Sequence, residues 1–131
     1  MADLAGRLRL LASGRTEVSV PAIPVPLPTT VTGELESVVR EALANVERHA
    51  GTDAKAWVLL EDLGGEIVVS VRDDGVGIAP SRLAEAEREG RMGIARSIRG
   101  RVADLGGTIE LETAPGAGVE WELRVPREVV R

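Results

Sequence analysis

Glu41, Asn45 and His49 recur at every fourth position, and Asp73-Asp74-Gly75-Val76-Gly77 follows them after a β-rich stretch. Carboxylates, an amide, an imidazole and a glycine turn are the types able to bind and orient a charged ligand. On a helix, a spacing of four gives a nearly straight row with roughly 6 Å between steps, at a rise of ~1.5 Å per residue. Leu35, Val38, Val39, Ala42, Leu43 and Val46 fall at intervals of three and four and form the expected buried face beside that row. A solvated helix face would also be polar. Asn, however, is a poor residue for a helix interior, by about a few tenths of a kcal/mol, so a contact should offset its presence at position 45. Its amide oxygen is a hard donor of the kind Mg²⁺ takes alongside waters and substrate phosphates, which makes Asn45 the candidate metal ligand.

The elements that must position these groups can be read around them. Thr32 is the expected N-cap of the long helix, with Glu34 and Glu36 in a first turn that favours negative charge. Residues 67–71 read as a strand, and the two aspartates and two glycines after them read as a turn that no regular element would choose. An isolated G-x-G is an ordinary turn; its order along the chain, after the polar helix and before another glycine cluster, singles it out. A second helix is expected over about 94–105, with Ile94, Ile98, Val102 and Leu105 on one face, ending at Gly106-Gly107. Its N-terminus beside Gly93 would direct backbone N–H groups at an anion. Residues 108–113 and 119–125 form the expected last hairpin around Pro115-Gly-Ala-Gly118.

Toward the N-terminus, residues 3–12 read as a short helix and 16–20 as a strand. Pro21, Pro24, Pro26 and Pro28 then impose an extended connector, a structural lead-in to the long helix and not a ligand for a proline-binding module. No internal repeat interrupts the chain. A length of 131 residues with 44% hydrophobic and 28% charged residues describes one soluble domain with a real core. A net charge of −5 without a basic block argues against nucleic-acid binding, and Trp57 and Trp121 alone provide no stacking platform. No apolar run reaches membrane-spanning length, and Leu8, Leu10 and Leu11 sit among arginines, unlike a signal peptide. Cysteine is absent, which removes disulfides and thiolate metal sites and fits a cytoplasmic setting, with membrane anchoring left to any parent protein.

Glu41-x-x-x-Asn45-x-x-x-His49 resembles the N box, and Asp73-x-Gly75-x-Gly77 the G1 box, of the ATP-binding domain shared by histidine kinases, gyrase, Hsp90 and MutL. The wording Arg40-Glu-Ala-Leu-Ala-Asn-Val-Glu-Arg-His-Ala50, with Ser97-Ile-Arg-Gly-Arg-Val-Ala-Asp-Leu-Gly-Gly107, is similar to two-component sensor kinases of the nitrate-sensor and desaturase-sensor type. The resemblance implies a two-layer α/β sandwich of the Bergerat type, a mixed sheet with helices on one face, occupying residues 16–128. Residues 1–15 would be a lead-in carrying the tail of a dimerisation helix, and 129–131 a C-terminal tail.

By the same resemblance, Asp73 accepts the adenine amino group, Gly75, Gly77 and Ile78 let the backbone approach the nucleotide, and Asn45 holds Mg²⁺. Arg48 and His49 stand where the family places phosphate contacts, and Glu41 either orients a metal-bound water or assists proton transfer. Residues 78–93 correspond to the ATP lid, whose charged run Arg82 to Glu89 has few apolar anchors. Gly90-Arg91-Met92-Gly93 resembles the G2 box with Arg91 in place of a glycine, either reaching a phosphate or exposed to solvent. Val119 stands where relatives carry a threonine, which puts the detailed adenine network in question.

The implied activity is transfer of the γ-phosphoryl group of ATP to a histidine on a separate dimerisation domain. A response regulator would act downstream, and neither nucleic acid nor membrane would be contacted by this domain. His49, the single histidine, lies inside the nucleotide box, so the phosphoacceptor is expected on another segment or chain. A serine kinase of the anti-sigma-factor type and a non-catalytic, nucleotide-gated interaction module share the same boxes.

Overall fold

The computed structural model describes residues 1–49, 53–75, 93–113 and 118–127, without the side chains of 48, 49 and 93–97. In chain order the elements are β1 (Ala2–Asp3), α1 (Leu4–Arg9), β2 (Thr16–Ser19), β3 (Pro26–Leu27), α2 (Thr29–His49), β4 (Ala56–Asp62), β5 (Glu66–Asp73), α3 (Gly93–Asp104), β6 (Thr108–Thr113) and β7 (Val119–Pro126). Five strands make one sheet in the order β2-β4-β5-β7-β6, with β2 parallel to β4 and the other neighbours antiparallel. The sheet is therefore mixed, and β5 is its middle strand.

Strand alternation decides which face the helices cover. Val58 and Leu60 of β4, Ile67, Val69 and Val71 of β5, and Trp121, Leu123 and Val125 of β7 all point to one face and share a core with the three helices. From α1 come Leu4, Ala5 and Leu8; from α2 Leu35, Val38, Val39 and Ala42; from α3 Ile98 and Val102. The opposite face carries Glu17, Trp57, Glu61, Arg72, Glu120, Glu122 and Arg124, in the register that strand pairing requires. This is the two-layer sandwich with helices on one side.

Residues ahead of β2 belong to the same core. Asp3 caps α1, its Oδ1 accepting from the N–H groups of Ala5 at 3.0 Å and Val25 at 2.8 Å, while β1 pairs with β3. Arg7 reaches Glu36 of α2 at 3.0 Å, and Arg40, one turn further along α2, takes the other oxygen of Glu36 at 2.8 Å. These two arginines, Arg40 first, hold the Glu36 carboxyl below its ordinary value.

The start of α2 differs from the expected one. The helix begins at Thr29, and the Pro28 carbonyl accepts the first helical bond from Thr32 N–H at 3.0 Å. Thr32 is fully buried, and its hydroxyl donates toward the carbonyls of Ala2 at 3.3 Å and Leu27 at 3.5 Å. A threonine that types as a cap is thus used to tie α2 to the β1–β3 ribbon. Glu34 and Glu36 accordingly lie beyond the first turn and take arginine partners instead of the helix dipole.

Helix α3 stops as its glycines predict. Gly106 takes φ of 76°, its N–H bonding Ala103 O at 2.9 Å, and Gly107 N–H bonds Val102 O at 3.0 Å. That pair of bonds is a Schellman ending. Gly107 is also required by contact, because a Cβ there would lie 2.4 Å from the Arg124 carbonyl oxygen of β7. Gly107→Ala is expected to lower stability by about 1–3 kcal/mol through this overpacking. Gly100→Ala, in the exposed interior of α3 with nothing within 4 Å of the added carbon, is expected to raise it by up to about 1 kcal/mol. Urea unfolding midpoints that move in opposite directions for the two variants are the check.

Candidate functional site

Two adjacent aspartates at the end of β5 have opposite fates. Asp74 is exposed and joins the start of β4, its carboxylate accepting from Lys55 N–H at 2.7 Å while its own N–H bonds Lys55 O at 3.1 Å. Asp73 points to the helix side, in phase with Val71, Val69 and Ile67, and is only 3% exposed. The Gly75 N–H donates to its Oδ1 at 2.8 Å, and the Val119 N–H also bonds the carboxylate. Burial raises the Asp73 carboxyl above its ordinary value of 3.8, opposed by these two N–H bonds and aided slightly by the Asp74 charge.

Gly118 closes the seat from β7. Its φ of 74° is open to glycine, and a Cβ there would stand 2.0 Å from the Asp73 carbonyl oxygen and 3.2 Å from its Oδ1. Thr113 fixes the same point by donating its hydroxyl to Gly118 O at 2.8 Å. The backbone of 118–119 therefore lies directly against the carboxylate. A carboxylate offers about four acceptor positions, so two N–H bonds leave capacity for a donor on a ligand.

The polar row of α2 is placed at the same end of the sheet. Val46 packs with Ala54 and Ala56, and Ala56 is the residue of β4 paired with Asp73. Asn45 is half-buried beside that cluster, and its amide makes no hydrogen bond among the described residues. Glu41, one turn earlier, is also half-buried and is met by Arg101 of α3, whose Nη1 donates to its Oε1 at 2.5 Å. The Arg101 Nε donates to Glu34, two turns before Glu41 on α2. These bonds, Glu34 first, raise the pKa of the guanidinium and keep it charged. The backbone of α3 begins at Gly93, close to the start expected for the second helix.

Several expected site residues are not brought into view. The backbones of Arg48 and His49 complete α2, whereas Gly77, Ile78, Arg91 and the lid segment lie outside the described residues. Two residues without an expected role enter the site. Gly118 was visible only as a turn glycine. Arg101 was part of a quoted motif, and the pairing signal available was two glutamates seven apart on one edge of α2 facing an opposite charge.

The donor set fits a nucleotide and a hard cation. Asp73 supplies a buried acceptor beside closely approaching backbone, and Asn45 an uncommitted amide oxygen. No cluster of three or more His, Cys, Asp or Glu side chains able to hold a metal exists among the described residues. Mg²⁺ usually keeps several waters and takes one or two protein ligands together with substrate phosphates.

Residues 30–129 match the histidine kinase-, DNA gyrase B- and HSP90-like ATPase family, and the chain belongs to it. As such it is an ATP-binding domain. It is 38% identical over 106 residues to the sensor histidine kinase NarS of Mycobacterium tuberculosis, covering 80% of this chain and 24% of that one. It is 32% identical over 106 residues to a sensor-like histidine kinase of Chloroflexus aurantiacus, covering 79% of this chain and 17% of the other. The histidine kinase domain of the Erythrobacter litoralis EL346 blue-light activated histidine kinase superposes with a TM-score of 0.69 at 26% identity, covering 95% of this chain and 57% of that structure. The chain thus spans a quarter or less of these curated relatives.

The raised Asp73 pKa has a consequence for stability. Between 3.8 and the folded value the native state binds the extra proton, so stability falls as pH rises through that interval. Asp73→Asn keeps an oxygen for the Gly75 and Val119 N–H groups without the charge. Its stability relative to the parent is expected to improve from about pH 4 to about pH 7, read as the difference in urea midpoint at each pH. A difference independent of pH would contradict the raised value.

Proposed function

We propose that this chain is the catalytic ATP-binding domain of a two-component sensor kinase, which binds ATP with Mg²⁺ and donates the γ-phosphoryl group to a histidine on a separate dimerisation domain. The observation that carries this reading is the Asp73 carboxylate, buried on the helix side of the middle strand and seated on the N–H groups of Gly75 and Val119. Its remaining acceptor positions suit the exocyclic amino group of adenine. Guanine would present a carbonyl there, and two acceptors would face each other.

The other residues divide the remaining work. Gly75, Gly77 and Ile78 carry backbone past the nucleotide, and Gly118 keeps the opposite wall free of a side chain. Asn45 holds the metal, Arg48 and His49 contact phosphate, and Gly93 with the first N–H groups of α3 receives the negative end of the triphosphate. Arg91 adds a positive charge near that end. Glu41 orients a metal-bound water or assists proton transfer beside Asn45. When bound, Mg²⁺ neutralises charge on the phosphate oxygens during transfer. The protein then has little covalent chemistry to perform, and alignment of the γ-phosphoryl with the acceptor imidazole is its main contribution.

Titration calorimetry with a non-hydrolysable ATP analogue and Mg²⁺ is expected to give saturable binding. Asp73→Asn should weaken it about 10- to 100-fold, the loss of a hydrogen bond to a charged group, while the variant remains folded. Asn45→Ala should make affinity nearly indifferent to Mg²⁺. Incubation with ATP and a dimerisation domain bearing the acceptor histidine should yield acid-labile phosphate on that domain. Binding unaffected by Asp73→Asn, or acid-stable phosphate, would overturn the reading.

A further inference from the structure

Glu34 and Glu41 are seven residues apart on α2, about 10.5 Å along its axis, yet both carboxylates converge on Arg101 of α3. The guanidinium divides its donors, Nε to Glu34 and Nη1 to Glu41. A planar fork can serve both at once from one rigid group, which a lysine ammonium on a flexible stem does less well. Arg101 is itself held from below, because its helix neighbours Ile98 and Val102 are 1% and 0% exposed in the core. Its partners are more open, with Glu34 38% and Glu41 36% exposed, so as an ion-pair network the bridge contributes little stability.

We infer that Arg101 is a positioning residue, which through the Glu34–Arg101–Glu41 bridge fixes the Glu41 carboxylate one helical turn from Asn45 and ties the helix that follows the lid segment to that carboxylate. The inference rests on the nucleotide-binding reading of α2. Without the bridge, Glu41 is a long side chain at a half-exposed site and regains rotamers that its task does not use. Ordering such a side chain costs rotamer entropy, and the bridge meets that cost before the nucleotide arrives. The bond takes Oε1 of Glu41. Oε2 accepts no hydrogen bond among the described residues and is the oxygen left for a water or a proton.

The test uses the full chain with MgATP and a dimerisation domain carrying the acceptor histidine. Arg101→Gln is expected to lower kcat for transfer about 10-fold with KM for MgATP changed less than about 3-fold. Arg101→Lys should restore part of the loss. Glu34→Gln, which weakens the other bond and leaves the Glu41 bond, should lose less stability than Arg101→Gln and keep more of kcat. In a Glu41→Gln background, Arg101→Gln should add no further loss. In the nucleotide-free chain, the shifts in urea midpoint for Arg101→Gln and Glu41→Gln should be non-additive. Normal transfer by the parent chain with additive losses in the double variant, or a loss of kcat in Glu34→Gln equal to that in Arg101→Gln, would overturn the role of Arg101. No saturable MgATP binding by the parent chain would instead remove the functional reading beneath it.

Discussion

Burying an ionisable carboxyl at the end of the middle strand is the constraint around which the chain is built. Asp73 sits in phase with the apolar side chains of β5, on the face that packs against the helices. Its charge is disfavoured there, and the surroundings compensate only partly, with two backbone N–H groups. The donors come from strand ends, Gly75 just beyond β5 and Val119 at the first residue of β7. Gly75 and Val119 must therefore hold fixed positions, which is a demand that stability alone would not impose. Strain of this sort concentrates where a ligand is to be received.

Architecture supplies the rest of the site from rigid parts. Because helices cover one face only, Glu41, which borders the apolar stripe of α2, can meet Arg101 of α3. One side of α2 is anchored through Glu36 to Arg7 of α1, the other through Glu34 and Glu41 to Arg101 of α3. Individually these partly exposed pairs are worth about 0–1 kcal/mol. Their shared geometric effect is to fix the rotation of α2 about its axis, which apolar packing alone leaves loose. Asn45 inherits that orientation without a hydrogen bond of its own among the described residues.

Local pattern located the buried face of α2 and the end of α3 but not the β1–β3 ribbon or the contacts that fasten the helices. The three- and four-residue spacing of Leu35, Val38, Val39 and Ala42 located the buried face of α2, and Gly106-Gly107 located the end of α3. The two-layer mixed sheet followed from the resemblance and stands in the strand pairings. The start of α2 was misplaced because Thr32 satisfies a cap by type, while its hydroxyl is spent on carbonyls 30 and 5 residues away. Arg101 could not be assigned for a similar reason. Its partners lie 67 and 60 residues back, and charge complementarity at that separation is invisible until α2 and α3 are brought together.

The valine at position 119 shows how a departure from a family pattern should be weighed. Without a hydroxyl it cannot join a side-chain network around adenine, and by residue type alone the adenine end of the site looks weakened. Here the contact that matters is made by the backbone: the Val119 N–H bonds Asp73, and any residue except proline would provide it. What cannot be varied is the preceding residue. Gly118 holds a φ of 74° with its Cα so close to Asp73 that a Cβ would lie 2.0 Å from the carbonyl oxygen. The thread between these loops and the carboxylate thus runs through main chain, tightened by the Thr113 hydroxyl on Gly118 O. A side chain at 118 would break this seat while one at 119 leaves the N–H in place, so the acidic seat persists without a hydroxyl at 119.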